Sequence, residues 1–493
     1  MEMEIKMKLS RLIIALLVLF LAFVVVNKSA FSAQNSDTNN TRTSKQSKDA
    51  DDADDSDDKE DTDSTNTGKQ SQGTGSNEET DIPKKNVKFK GDLLLGLNMG
   101  MHEPNSWYRK VAKLVLGMEG RLMDVSFKVE LEFMYDTLRD NVIIDGQQAT
   151  DYKRYLRARE VWAEYETNTF DRKWFTGFSF KIGHILYSWG KGDEYRPSDI
   201  LNPQDYSNYS FTVSNDRKIP VWSLNLKTRL HENWRFSFIL IPIHSGNEIP
   251  GNDNPWQDPS MISMQSMGIT GISLSTPEKK LANSTYAVKT YFKLFDVDFS
   301  IGYLSGYGYQ PVLISAVPPT AYMEYKFLRM ITFDFEFVAG GIGFRGELGY
   351  FPKGKYYTQN TNLMIERKQL SVIFGFDKTD LFIKGMYINI QFIWEHIFDR
   401  DEGSVIAKGD IFSISLNWYY EGRVLKVELG GIYGIVNKEL MLRPKVTWKV
   451  QNDFNVIIGA IIILGKNSLE YSQAPLGKYY NKDYIFIEAN YSF

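Results

Sequence analysis

Tyr484-Ile485-Phe486-Ile487-Glu488-Ala489-Asn490-Tyr491-Ser492-Phe493 ends the sequence. Its odd positions Ile485, Ile487, Ala489, Tyr491 and Phe493 are apolar or aromatic, whereas Glu488, Asn490 and Ser492 between them are polar. A strand sends successive side chains to opposite faces, so this stretch offers one face to an apolar medium and one to water. Its backbone edges must be paired, because an open edge in hydrocarbon leaves amides unsatisfied. A sheet that closes on itself meets that demand by pairing its last strand with its first.

The same two-residue period recurs upstream. Val87, Phe89, Leu93, Leu95 and Leu97 alternate with Lys88, Lys90, Asp92 and Asn98, and Val125, Phe127, Val129, Leu131 and Phe133 alternate with Ser126, Lys128, Glu130 and Glu132. Leu425, Val427 and Leu429 alternate with Lys426 and Glu428. Helical periodicity is scarce. Turns such as Gly340-Gly341, Asp377-Lys378-Thr379-Asp380, Glu421-Gly422 and Gln451-Asn452-Asp453 contrast with long connections at 136–156, 188–219, 244–283 and 399–409. Short turns on one rim and long loops on the other suit a membrane barrel. Aromatics near expected strand ends (Trp174, Trp189, Tyr303, Tyr307, Tyr309, Trp418, Tyr419, Tyr420, Tyr479 and Tyr480) are expected at lipid–water boundaries.

Before residue 86 the composition changes. Residues 1–32 carry Lys6, Lys8 and Arg11, an apolar run from Leu12 to Val26, and Ala30 and Ser32 at a small-residue exit. That is the pattern of a cleavable signal peptide; an uncleaved anchor helix is the alternative, with fewer apolar residues than the ~20 a span needs. Residues 33–85 read as an acidic linker. Within 34–81 there are fourteen acidic and five basic residues and no Val, Ile, Leu, Met, Phe, Tyr or Trp, so disorder is expected. The net charge of −4 therefore averages unlike segments, since residues 82–493 hold 48 basic and 45 acidic residues. With no cysteine, disulfides, thiolate metal sites and cysteine nucleophiles are excluded.

The terminal Phe493, with Tyr491 two residues before it, resembles the C-terminal assembly signal of bacterial outer-membrane barrels, which implies recognition by the barrel assembly machinery. Together with the export signal and the alternation, it leads to one expectation for residues 86–493: an all-β, transmembrane antiparallel barrel behind a disordered leader, in the outer membrane and in contact with its lipid. At roughly 22–26 residues per strand and connection, the body holds about 16–18 strands. A barrel of that size leaves a water-filled lumen unless loops block it.

A set of motifs in residues 157–395 is also familiar. Lys181-Ile182-Gly183-His184, Trp189-Gly190-Lys191-Gly192-Asp193, Asp199-Ile200-Leu201-Asn202-Pro203-Gln204-Asp205 and Lys218-Ile219-Pro220-Val221-Trp222 follow one another. Later come Gly343-Phe344-Arg345-Gly346-Glu347-Leu348, Val372-Ile373-Phe374-Gly375-Phe376-Asp377 and Ile388-Asn389-Ile390-Gln391-Phe392. In this order they resemble a porin-like family of outer-membrane proteins from Gram-negative bacteria whose function is unknown. The usual Arg-Gln after the glycine is His184-Ile185 here. The resemblance implies a barrel and names no substrate.

In a barrel the polar phase of each strand faces the lumen. Lys128, Glu130, Glu132, Glu164, Lys181, Arg345, Glu347, Asn389, Gln391, Lys426 and Glu428 are thus candidate pore-lining residues, although many can equally serve to solvate the wall and pair with neighbours. The 188–219 connection is the candidate constriction. It carries Lys191, Asp193, Glu194, Arg196, Asp199, Asn202, Asp205 and Arg217, and Pro197 and Pro203 stiffen it. An extracellular loop packed on itself explains the same residues.

Catalysis has little support. The five histidines form no HExxH pair, no Gly-x-Ser-x-Gly elbow is present, and Glu130 with Glu132 is an ordinary polar wall unless a pocket raises one carboxyl. No metal or cofactor is expected, and the acidic leader argues against nucleic acid. The leading function is a non-enzymatic pore for small hydrophilic or amphipathic solutes. The alternatives are a plugged barrel with a structural or surface-interaction role, and an outer-membrane hydrolase.

Overall fold

The computed structural model describes residues 87–493 except 102–107, 123, 145–146, 151–152, 168–174, 208–216, 253, 359–363, 400–410, 437, 466–475 and 477–478. The expected signal peptide and acidic linker lie outside the described residues.

In chain order the strands are β1 (Val87–Gly100), β2 (Tyr108–Leu122), β3 (Val125–Asp136), β4 (Asn141–Ile144), β5 (Gln147–Thr150), β6 (Arg154–Thr167), β7 (Gly177–Ile185) and β8 (Val221–His231). There follow β9 (Trp234–Ile241), β10 (Ile249–Pro250), β11 (Gly271–Ser275), β12 (Thr285–Leu294), β13 (Val297–Tyr307), β14 (Val312–Val317), β15 (Thr320–Glu324) and β16 (Phe327–Ala339). The last are β17 (Ile342–Thr358), β18 (Met364–Thr379), β19 (Met386–Ile397), β20 (Ile411–Glu421), β21 (Leu425–Gly434), β22 (Glu439–Gln451), β23 (Phe454–Leu464) and β24 (Tyr484–Ser492). Six short ones (β4, β5, β10, β11, β14 and β15) form two three-stranded sheets within the connections. The other eighteen make one sheet in which each strand pairs antiparallel with the next in sequence.

That sheet is closed. β24 returns to β1, with Asp92 opposite Ser492 and Gly100 opposite Tyr484. Beyond the ladder, the Gly91 amide donates to the Phe493 carbonyl at 2.7 Å and the Phe493 amide donates to the Gly91 carbonyl at 2.8 Å. Closure leaves no barrel edge unpaired, which is what the terminal decamer required. Because the strand number is even, β1 begins and β24 ends on the same rim. The tight turns Glu232-Asn233, Phe295-Asp296, Gly340-Gly341 and Asn452-Asp453 lie on that rim, and the long connections 137–153, 186–220, 242–284 and 308–326 lie on the other.

The outward phase is apolar all round, with Leu95, Leu97, Phe133, Leu156, Ile182, Ile301, Ile331, Phe392, Ile458 and Ile487 exposed. Trp222, Tyr286 and Tyr433 stand outward near the long-loop rim, and Trp234, Trp448 and Tyr491 near the short-turn rim. Tyr303 is also exposed on the outer face. Four aromatics expected at the boundary are elsewhere: Tyr309 donates to the Leu201 carbonyl of the β7–β8 connection, Tyr419 shares the inner face with Glu428 and Lys426, and the other two are buried. Trp189 and Tyr479 are buried inside the barrel, because each packs on an apolar patch of the inner wall. Trp174 lies outside the described residues.

The inner wall is not uniformly polar. Toward the long-loop rim Ile185, Val221, Ile239, Ile241, Leu304, Leu328 and Met330 form an apolar cluster with Tyr187, Trp189 and Leu201 of the β7–β8 connection. A second cluster sets Trp256, from the β9–β12 connection, against Met441, Ile461, Ile463, Tyr479 and Tyr484. Here strands have two apolar faces, one toward lipid and one toward a folded loop.

Closure also depends on a small residue. A Cβ on Gly91 would lie 2.4 Å from the Phe493 ring, so the ring covers this glycine. Gly91→Val is expected to displace the terminal ring and destabilise the closing pair by about 1 kcal/mol, toward the low end of overpacking because the ring can swing aside. A lower urea midpoint in the unfolding of the refolded barrel is the readout; an unchanged midpoint overturns the role of this contact.

Candidate functional site

The connection between β7 and β8 does not stay at the rim. Its base is made by Asn202, whose side-chain amide donates to the Ile185 and Ile219 carbonyls while its oxygen accepts from the Tyr187 amide. Asp199 accepts from the Trp189 amide at 3.2 Å and pairs with Lys218 at 2.7 Å. Arg196 reaches back to the Gly192 carbonyl and the Ser188 hydroxyl. Asn202, Asp199 and Arg196 thus shape the loop through contacts with its own backbone, Ser188 and Lys218.

The tip, residues 191–196, crosses to the far wall. Glu347 on β17 accepts from the Lys191 amide (2.9 Å), the Gly192 amide (3.2 Å), the Ser198 amide (2.6 Å) and the Ser198 hydroxyl (2.5 Å). Gly190 is where the chain comes closest, since a Cβ there would lie 2.4 Å from the Glu347 carboxylate. Gln391 on β19 accepts from the Glu194 and Tyr195 amides. Side chains add to this backbone clamp. Asp193 pairs with Arg345 at 2.9 Å and accepts from Asn389 at 2.7 Å. Lys191 pairs with Glu336 at 2.6 Å, and the Tyr195 hydroxyl donates to Glu395 at 2.6 Å. Farthest round, both Arg443 terminal nitrogens on β22 meet the Glu194 carboxylate, at 2.5 and 2.6 Å.

The candidate pore-lining residues therefore divide. Arg345, Glu347, Asn389 and Gln391 meet the loop tip, and the last three are at most 2% exposed, so they hold the loop and do not border an open path. Lys128, Glu130, Glu132, Glu164, Lys181, Lys426 and Glu428 keep clear of the tip. Lys128 pairs with Glu160 at 2.5 Å and with Glu130 at 3.4 Å. Arg159, the extra residue of a β6 bulge, reaches Glu130 and Glu132. Lys181 pairs with Glu164 at 3.7 Å and lies 3.5 Å from the Trp162 ring centroid. Lys426 and Glu428 pair at 3.5 Å, and Glu428 also meets Lys445 at 2.9 Å. The inner faces of β3, β6 and β7 and of β21 and β22 thus carry neighbouring charges of opposite sign.

At the long-loop mouth the expected Asp205 and Arg217 part company. Arg217 donates to Gln204 at 3.0 Å, whereas Asp205 joins a buried hub around Arg139, which sequence reasoning missed. Arg139, in the β3–β6 connection, binds Asp205, the Ser207 hydroxyl (2.7 Å) and Glu248 (2.5 Å); Glu248 also accepts from Arg157 at 2.7 Å. One guanidinium thereby joins three long connections. Asn254 donates to the Leu138 and Ser207 carbonyls, which carries the same join to the Trp256 segment.

Burial raises the Asp193 carboxyl above its ordinary value, with the neighbouring Arg345 cation pulling the other way. A carboxyl raised on folding favours the folded state once protonated, so acid does not weaken the fold through this group. On acidification Asp193 is neutralised ahead of an ordinary aspartate, while Arg345 keeps its charge beside Asp377. A shift toward anion selectivity at lower pH is expected in reversal-potential measurements, and Asp193→Asn should show that selectivity already at neutral pH. Identical acid responses in the two proteins count against this assignment.

Three solved porin structures are similar to this chain, each over 83% of it: a BenF-like porin from Pseudomonas fluorescens Pf-5 (10% identity, 98% of that chain, TM-score 0.46), Salmonella typhi OmpF in complex with daunomycin (9%, 97%, 0.42) and Pseudomonas putida OprB (12%, 94%, 0.39). No protein-family model and no curated protein matches the chain. The barrel itself is established by the pairing of β1 with β24.

Proposed function

We propose that this chain is a non-enzymatic outer-membrane channel that admits small hydrophilic or amphipathic solutes past a fixed inward loop. The observation that carries the reading is the loop tip: a charged segment spans a closed barrel and is clamped to the far wall at Glu347, Gln391 and Arg443. A wide sheet closed around a polar lower lumen encloses water, and a loop held by its own backbone amides sets the width of what passes. The paired charges below the tip solvate polar solutes without a strong net field. Planar-bilayer recordings on refolded protein test this, with discrete conductance steps and solute entry into proteoliposomes expected. A correctly folded barrel with neither result overturns the pore.

The second reading, a plugged barrel, is favoured by the long-loop mouth. Trp256 is 0% and Arg139 1% exposed there, so folded connections fill that part of the lumen. The same recordings separate the two, since a plug gives no conductance until mouth contacts are removed. We further propose that residues 1–32 are a cleaved export signal, that residues 33–85 are a solvated acidic spacer, and that Tyr491 and Phe493 address the assembly machinery. Mass spectrometry of the mature N-terminus and assembly of Phe493→Ala in cells test the first and last of these.

A further inference from the structure

We propose that a hollow on the outer wall, floored by Ala112 and rimmed by Lys110 and Arg154, holds one anionic phosphate-bearing lipid of the surrounding leaflet; the inference rests on the membrane-spanning reading above. Register places Ala112 opposite Tyr135 and Tyr135 opposite Arg154, in one row across β2, β3 and β6. The next row toward the middle of the wall is Leu114, Phe133 and Leu156, with Leu93 of β1 beside Leu114. Paired residues share a face, and Phe133 and Leu156 are exposed on the lipid side, so both rows point outward.

Within these rows Ala112 is the one small side chain among Leu, Phe and Tyr. The volume it leaves forms a cavity of about 540 Å³, lined by Leu93, Ala112, Leu114, Phe133, Tyr135 and Leu156 and bordered by Arg154. That hollow is apolar and faces the acyl region. Its upper border is cationic. Arg154 begins β6 at the long-loop rim, and its guanidinium lies 5.8 Å from the Tyr135 ring centroid. Lys110 stands two residues above Ala112 on the same face and is exposed. Among the described residues no ion pair joins Arg154 or Lys110 to a carboxylate. An apolar slot capped by two cations without acidic partners matches an amphiphile whose headgroup is negative. The acyl chain would lie over Ala112 and the phosphate would meet Arg154 and Lys110 at the boundary, where the Tyr135 ring also sits.

The test is native mass spectrometry of the full chain extracted in mild detergent, titrated with dimyristoyl phosphatidylglycerol or with phosphatidylcholine of the same chains. One phosphatidylglycerol per barrel is expected, bound about tenfold more tightly than phosphatidylcholine. Lys110→Gln/Arg154→Gln should bring the two lipids to equal affinity, and Ala112→Leu, which fills the floor, should weaken both. Heat-modifiable migration on gels confirms that each variant is folded. Equal binding of the two lipids by the unaltered protein overturns the proposal, as does a headgroup preference that survives the double substitution or full binding by folded Ala112→Leu. A chain recovered only from the soluble fraction overturns the membrane reading itself, an outcome distinct from a membrane-embedded barrel lacking the preference.

Discussion

Replacing residues 191–196 with a Gly-Gly linker is expected to raise single-channel conductance several-fold while leaving the barrel folded. Conductance follows the narrowest cross-section, and this hexapeptide carries the loop's contacts to Arg345, Gln391 and Arg443 on the far wall, while Ser198 outside it also holds Glu347. The wall residues it leaves behind, Arg345, Gln391 and Arg443, would face lumen water and become hydrated, so the loss is that of modest exposed pairings rather than of buried ones. The eighteen-strand ladder does not pass through the loop and keeps its own hydrogen bonds. The loop base also survives, because Asn202 and the Asp199–Lys218 pair lie outside the excised stretch. Unchanged conductance from a folded deletion variant shows that the tip is not the narrowest point. No conductance from either protein favours the plug.

Arg139→Met is expected to loosen the long-loop mouth without unfolding the barrel. The Arg139 side chain is almost wholly buried, and removing it leaves Asp205 without its main cation while Glu248 keeps Arg157. Breaking a buried pair by deleting one partner costs about 3–5 kcal/mol, and the surviving Arg157 contact puts this case at about 3. The cost falls on the connections, which open as a local unit while the interstrand hydrogen bonds persist. Limited proteolysis should therefore cut within 137–153 and 242–284 in the variant and spare the unaltered protein, with heat-modifiable migration unchanged. Adding Asp205→Asn to Arg139→Met should restore part of the protection, because a neutral amide does not need the cation. Equal protease resistance of Arg139→Met and the unaltered protein overturns the latch.

The pH response of the latch differs in sign from that of the tip. Burial works to raise Asp205, but the facing Arg139 and Arg157 guanidinium groups hold its carboxyl below the usual value. A carboxyl lowered on folding contributes stability above its unfolded value, and that stability is lost as the pH falls through the folded one. On acidification Asp193 is therefore neutralised before Asp205, and the mouth stays latched after the tip has lost its charge.

Much of this is legible in the sequence. The alternation of Val125–Phe133 and of Tyr484–Phe493 assigns each side chain to lipid or lumen, because a strand has a fixed two-residue period and a one-residue slip would reverse every position. The signal that loops fill the upper lumen was also present but easy to misread. Phe238-Ile239-Leu240-Ile241 and Ile461-Ile462-Ile463-Leu464 lose their alternation at the long-loop ends, which means that the inner face is covered as well. Trp189 and Tyr479, read from the sequence as boundary aromatics, pack on these inner apolar patches instead.

Sequence by itself determined the alternating strands, their faces and the closed sheet, because those follow from local periodicity and from the need to pair every backbone group; for the 188–219 loop it left an inward and an outward course equally open. Only the tertiary structure decided what the loop touches. Glu194 and Arg443 are 249 residues apart, and Asp193 and Asn389 are 196 apart. No local rule links such positions. Their meeting depends on how far round an eighteen-strand barrel the tip can reach, and that reach appears only when all the strands are in place.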